Sequence, residues 1–225
     1  MQDLLPIDGG PIYAETDLSA FIVEPWNAVS SLAIMLPAAY WAFKLKWKFS
    51  SYPFLYFLIP LLFLGGTGSM LYHGFRSSQL LLWMDVLPTA IVTLAVGIYF
   101  WHLTLPRKWQ VVSVVAPIAF FRIFTYTYFS GQFAINLSYV ISGFLIFFPI
   151  IFYLIRHQYR HFKPILFSVL FLSLSLLFRR IDNSATALLP MGSHFLWHIL
   201  SGFGAYYLAA YIYLIRKDQL STPEI

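Results

Sequence analysis

Long apolar runs separated by short polar stretches dominate the pattern of this chain. The runs lie at about 26–43, 52–72, 80–102, 109–128, 133–155, 164–178 and 195–215. A helix needs about 20 mainly apolar residues to cross the hydrocarbon core of a bilayer, and most of the runs approach or exceed that length. The pattern predicts an all-α polytopic membrane protein with seven transmembrane helices, of which the sixth is the shortest.

Length and composition exclude most soluble folds. The chain has 225 residues, of which 60% are hydrophobic and 10% charged, whereas a soluble domain carries roughly 45–50% apolar and about 25% charged residues. Seven spans use about 140 to 150 residues, so the remainder is too short for a second domain. We expect one membrane domain, made of an acidic N-terminal segment (1–25), a helical bundle (26–215) and a tail (216–225).

The basic residues predict the orientation of the bundle. Ten of the fourteen follow the first, third, fifth and seventh runs, whereas only three follow the second and sixth. The ten are Lys44, Lys46, Lys48, Arg107, Lys108, Arg156, Arg160, Lys163, Arg216 and Lys217. Because cytoplasmic loops carry the excess of Lys and Arg, the N-terminus is predicted outside and the C-terminus in the cytosol. The net charge of +5 therefore indicates topology and not a nucleic-acid partner.

The N-terminal segment differs in charge from the rest of the chain. Its first 25 residues contain five acids and no Lys or Arg. A secretory signal peptide needs a basic start before its apolar run, so this segment is not predicted to be one.

A few polar side chains interrupt the ends of the apolar runs. Ser69 and His73 close the second run, Asp85 lies near the start of the third, and His194 and His198 open the seventh. A spacing of four places Ser69 and His73 on one helix face, and the same holds for the two later histidines. Polar groups inside a membrane are costly and mark functional sites.

The predicted topology brings these five residues to one depth near the extracytoplasmic face, because the second span runs outward and the third and seventh run inward. The chain has no cysteine, so a metal would be held by nitrogen and oxygen ligands. Three histidines with an open fourth position are a known arrangement for catalytic zinc. Asp85 would then bind the metal through water, act as general base, or do both. Alternatively, the histidines are hydrogen-bonded interface residues, and Asp85 caps the third helix or pairs with Arg76.

The motifs around these residues resemble the alkaline ceramidases in their bacterial form. Gly66–His73 is followed twelve positions later by Asp85, and Pro190–His198 opens the seventh span. Tyr13–Glu15 and Glu24–Asn27 match the family before and at the start of the first span. The family belongs to a superfamily of seven-helix hydrolases that includes the adiponectin receptors.

The resemblance implies a catalytic zinc ion held by His73, His194 and His198. It further implies that Asp85 orients or deprotonates a zinc-activated water, and that Ser69 steadies the oxyanion. The reaction implied is hydrolysis of a linear amide (class EC 3.5.1), in which ceramide or a related N-acyl lipid gives a sphingoid base or amine and a fatty acid. The expected partner is thus a lipid from the membrane, with no nucleic acid and no obligate protein partner.

The resemblance also implies calcium near the N-terminus. Candidate ligands are the carboxylates of Glu15, Asp17 and Glu24 and the side-chain oxygen of Asn27. Calcium takes six to eight oxygen ligands, which an acidic segment can supply. Topology alone also produces an acidic outer segment, so both interpretations stay open.

The chain departs from the family where cysteines are common, at Ala14 and near Ala185. The N-terminal segment must therefore be held by something other than a disulfide. Arg179 and Asp182 match an element of the family before the last span, where we expect a salt bridge that shapes the loop and not a catalytic role.

Two other functions compete with hydrolysis. A receptor or sensor of the adiponectin-receptor type would use the zinc structurally, and we would expect a large ligand-binding segment in such a protein. A metal or proton transporter would use His and Asp as a relay and would place polar residues in both halves of the bilayer.

Overall fold

The computed structural model describes residues 6–129 and 131–221, and all regular elements within these ranges are helical. The helices are α1 (Pro25–Ser30), α2 (Leu32–Leu45), α3 (Pro53–Phe75), α4 (Gln79–Thr104), α5 (Lys108–Tyr128), α6 (Gly131–Arg156), α7 (Phe162–Arg180) and α8 (His194–Ser221), with a 3₁₀ helix at Asn183–Ala187. Seven segments are long and apolar enough to cross a membrane, with α1 and α2 together forming the first. The seven-helix prediction is confirmed.

The first span was predicted as one helix but is interrupted at Ser31, between α1 and α2. The hydroxyls of Ser30 and Ser31 both donate to the backbone carbonyl of Asn27, over 3.1 and 2.8 Å. Serine hydroxyls that bond back to the preceding turn compete with the helical ladder and bend helices. The interruption therefore has a local cause in the Ser-Ser pair.

The chain forms two compact units, residues 1–89 with 161–225 and residues 90–160. The predicted metal ligands all belong to the first unit, in which α2 packs on α3 and α8, α7 packs on α8, and α1 contacts α3 and α8. In the second unit α5 packs on α6, and Trp101, Val111, Val115 and Leu145 form a buried cluster.

Close backbone approach between α2 and α8 depends on a proline and a glycine. Pro37 has no N–H, so the carbonyl of Ala33 loses its helical partner. A Cβ built on Gly202 would lie 2.2 Å from that carbonyl oxygen, which means that only glycine fits here. This contact fixes α8, and with it His198, against the first span.

Large apolar side chains point outward along the spans. Phe43, Leu36 and Val112 are each about two-thirds exposed or more, at 73%, 66% and 66%. Apolar surface on this scale is unusual for a soluble protein but is expected where lipid tails form the solvent.

Candidate metal centre

The three histidines predicted to bind a metal meet inside the first unit. His73 lies in the last turn of α3, and His194 and His198 lie in the first turns of α8. All three are at most 2% exposed, and one ligand atom from each lies within 4.8 Å of the others. Spacing and topology predicted this convergence correctly, and the group is close enough to bind one metal ion.

Hydrogen bonds orient two of the three imidazoles. The Nδ1 atom of His73 lies 2.5 Å from a carboxylate oxygen of Glu24, which can only accept. The Nδ1 atom of His198 lies 2.8 Å from the hydroxyl of Ser30, which donates its own hydrogen to Asn27 and so accepts from the ring. In both residues Nε2 is left to face a metal. An outer partner, meaning a group that contacts a metal ligand without binding the metal, fixes the orientation of that ligand, and a hydrogen-bonding one raises its basicity.

Glu24 joins this centre to a buried ion-pair cluster. Its second oxygen accepts hydrogen bonds from the guanidinium of Arg76 and the hydroxyl of Thr16, and Arg76 also pairs with Asp8 over 2.8 and 3.0 Å. Arg76 and both carboxylates are at most 2% exposed. Charges buried this deeply require partners, and the cluster supplies them.

The cluster shifts the pKa values of its members. Burial favours the uncharged acid, but the hydrogen bond from His73 and the charge of Arg76 hold the pKa of Glu24 below its ordinary value. Burial also disfavours a charged guanidinium, yet the hydrogen bonds to Asp8 and the charge of Glu24 raise the pKa of Arg76. Both groups are therefore charged at neutral pH.

Asp85 stands beside the three ligands without joining them. It is half-buried in the second turn of α4 and accepts a hydrogen bond from Ser69, whose hydroxyl oxygen lies 3.1 Å from that of Ser31. A Cβ on Gly68 would lie 2.2 Å from the carbonyl oxygen of Met84, so α3 and α4 touch directly at this point. That contact sets the position of Asp85.

Two expectations for Asp85 are wrong. It lies inside α4, six residues after its start at Gln79, so it does not cap the helix. Arg76 pairs with Asp8 and Glu24 instead of Asp85. The roles of Asp85 as general base or as a metal ligand through water stay predictions.

The four candidate calcium ligands have other partners in the structure. Glu15 accepts two backbone N–H groups at the start of α1, and Asp17 accepts both hydrogen bonds of Ser19. The amide of Asn27 donates to Glu24 over 3.2 Å. Among the described residues these carboxylates form no metal-binding group of three. The calcium site stays a prediction.

Burial and hydrogen bonding also shift the pKa values of Glu15 and Asp17, two carboxylates of the N-terminal segment. Partial burial raises the pKa of Glu15, although the backbone N–H groups oppose the rise. Hydrogen bonds from Ser19 lower the pKa of Asp17. Both carboxylates are placed to order the N-terminal segment.

Asp182 shapes the loop before α8 as predicted, but through backbone hydrogen bonds. One oxygen accepts the N–H groups of Ser193 and His194, and the other accepts that of Ala14 over 2.8 Å. A Cβ on Gly192 would lie 2.4 Å from Asp182 and 2.5 Å from Ala14, and its φ of +75° also favours glycine. Asp182 thus ties the N-terminal segment, at Ala14, to the loop before α8 without a disulfide.

Sequence reasoning missed most residues around the ligands. These are Asp8, Tyr13, Ser30, Ser31 and Arg76. Arg76 carried a signal, because it is one of only three bases on the predicted outer side and faces a segment with five acids. Tyr13 belongs to a motif singled out in the sequence, but its contact with His194 depends on tertiary packing, as does the contact of Ser30 with His198.

No model of a known protein family matches the chain, and no curated protein matches it. Its function is therefore inferred from the side chains at the metal centre and from the resemblance of its motifs.

Proposed function

We propose that this protein is a zinc-dependent hydrolase that cleaves the amide bond of a membrane lipid. The observation that carries the proposal is the group of three buried histidines with ligand atoms within 4.8 Å, beside the carboxylate of Asp85. A metal site with three histidine ligands, no fourth ligand among the described residues and a neighbouring carboxylate as general base is suited to hydrolysis.

The donor set fits zinc. Three neutral imidazoles match the ligands of known catalytic zinc sites, which keep one position open for water or substrate. Magnesium and calcium prefer oxygen ligands and fit three nitrogens poorly. When bound, zinc supplies a Lewis acid for a carbonyl oxygen and lowers the pKa of a water molecule.

Asp85 is the residue that we assign to proton transfer. Amide hydrolysis needs a base that takes a proton from the attacking water and an acid that returns one to the leaving nitrogen. The carboxylate of Asp85 can do both in turn, and the hydrogen bond from Ser69 keeps it in place. Because the single hydroxyl hydrogen of Ser69 is donated to Asp85, we assign Ser69 to positioning Asp85. Its role at the oxyanion rests on the resemblance alone.

The substrate class follows from the membrane and from the resemblance. The three histidines lie at the ends of helices that are long and apolar enough to span a membrane, so the substrate we propose is a lipid that approaches from the bilayer. The similarity of the motifs to alkaline ceramidases favours ceramide or a related N-acyl lipid, with a fatty acid and a sphingoid base or amine as products.

The test combines metal content with amide cleavage. Purified wild-type protein is expected to contain close to one zinc per chain and to release fatty acid from an N-acyl lipid. His198→Ala is expected to lose both properties, because it removes one of three ligands. Asp85→Asn is expected to keep zinc and lose most of the activity. His102→Ala, at an exposed position in α4, serves as the matched control.

The outcomes separate the competing functions. Absence of zinc from folded wild-type protein would overturn the proposal at its first step. Zinc without cleavage of any N-acyl lipid, in a screen that includes ceramide, would favour the sensor with a structural metal.

A further inference from the structure

His194 differs from the other two ligands in how its ring is held. His73 and His198 each pair Nδ1 with a hydrogen-bonding side chain, Glu24 and Ser30. The Nδ1 atom of His194 is buried and has no hydrogen-bond partner among the described residues. Histidines that bind metals almost always use their second nitrogen in this way, so the orientation of His194 needs another source.

That source is the ring of Tyr13. The ring lies against the imidazole of His194 with 3.8 Å between centroids and an angle of 23°, which is a stacked arrangement. It also lies 5.4 Å from the ring of His73, with a tilt of 54°. One aromatic side chain thus covers two of the three ligands.

The backbone of Tyr13 is tied to the partners of the ligands on both sides. Its N–H donates to the hydroxyl of Thr16 over 2.9 Å, and this hydroxyl donates to Glu24, the partner of His73. The next N–H, that of Ala14, donates to Asp182, which also accepts the N–H of His194. The ring is therefore positioned by the same groups that position the metal ligands.

We infer that Tyr13 is a positioning residue that holds the His194 imidazole for metal binding by ring stacking, in place of a hydrogen bond. The inference rests on the proposed metal centre. Stacking between aromatic rings contributes a modest free energy but restricts rotation of the imidazole. Loss of an outer partner of a metal ligand typically lowers metal affinity by about 10- to 100-fold.

The experiment measures metal retention in the full-length protein and not activity. Zinc-loaded Tyr13→Ala protein is expected to lose zinc to a water-soluble chelator about 10- to 100-fold faster than wild type. Tyr13→Phe keeps the ring and should lose zinc at nearly the wild-type rate. Tyr13→Leu keeps apolar bulk without a ring and should behave like Tyr13→Ala. Phe21→Ala, at an 85% exposed site in the same segment, is the control.

A spectroscopic signature separates positioning from general destabilisation. In the cobalt-substituted protein, the visible absorption bands report ligand geometry, so they should change in Tyr13→Leu and stay unchanged in Tyr13→Phe and Phe21→Ala. Wild-type retention and bands in Tyr13→Leu would overturn the role of the ring. Absence of bound metal from wild type would instead overturn the metal centre itself, which keeps the two failures distinct.

Discussion

Glu24 serves the metal centre with one oxygen and a buried cation with the other. The His73 imidazole takes one side of the carboxylate and the Arg76 guanidinium takes the other. With Asp8 included, the cluster carries one net negative charge behind His73. A negative charge at this position increases the basicity of the ligand and thereby favours a bound cation.

Replacement of Glu24 by Gln tests this arrangement. The amide removes the charge and turns an NH₂ group toward either His73 or Arg76, both of which are donors. We expect zinc affinity to fall about 10- to 100-fold and the free energy of unfolding to fall by about 3–5 kcal/mol. Chelator competition and thermal unfolding measure the two effects.

The matched control is Glu15→Gln, which alters a carboxylate that accepts two backbone N–H groups at the start of α1. It is expected to cost about 1 kcal/mol of stability and to leave zinc affinity unchanged. Equal zinc affinity in Glu24→Gln and wild type would contradict the role given to Glu24.

The helical spacing of polar residues predicted the three histidine ligands but not the side chains that orient their rings. His73, His194 and His198 could be predicted because helical spacing and span direction fix the depth of a side chain. The partner of each ring could not, because Glu24, Ser30 and Tyr13 reach the centre through a folded segment and a broken helix. Neither feature leaves a periodic pattern.

The contact between α3 and α4 determines where the proposed base lies. Gly68 touches the backbone of α4 at Met84, next to Asp85, and Ser69 follows Gly68 on the same turn. Glycine lets two helix backbones approach closely in a membrane. Gly68 belongs to the Gly66–His73 motif that was singled out in the sequence. The sequence does not show, however, that Gly68 packs against the backbone of Met84 in α4.

Gly68→Leu should separate positioning of Asp85 from metal binding. The new side chain has no room against α4, so it displaces Asp85 from Ser69. A displacement of about 1 Å costs roughly 100-fold in rate. We expect a loss of at least that size in amide cleavage, while zinc content stays near the wild-type value.

Gly74→Ala in the same helix is the control, because its nearest neighbour would lie 4.0 Å away. Alanine there should be neutral or stabilise the helix by up to about 1 kcal/mol. Unchanged cleavage in a folded Gly68→Leu variant would show that the close contact does not position the base.

The chain as a whole carries its charges in an order that predicts topology. Ten basic residues follow alternate spans, and five acids precede the first. Helix number and approximate span bounds were predictable from hydropathy, because a bilayer admits few alternatives to apolar helices. The division into two compact units was not, since it depends on contacts between helices that hydropathy does not encode.

Cysteine labelling tests the orientation directly, because the natural chain has no cysteine. Ile7→Cys and Leu220→Cys introduce thiols at exposed positions, 84% and 48% exposed in the native residues. A membrane-impermeant maleimide should label the first in intact cells and the second only after permeabilisation. The reverse pattern would place the N-terminus in the cytosol and contradict the positive-inside prediction.

Residues near the two ends of the chain build the metal centre together. His198 bonds to Ser30 and Ala14 bonds to Asp182, and each pair is separated by 168 positions. Six spans must therefore leave the ribosome and insert before the ligand set can exist. A metal ion at this site would consequently bind only late in biosynthesis, after the last helix has entered the bilayer and packed against the first.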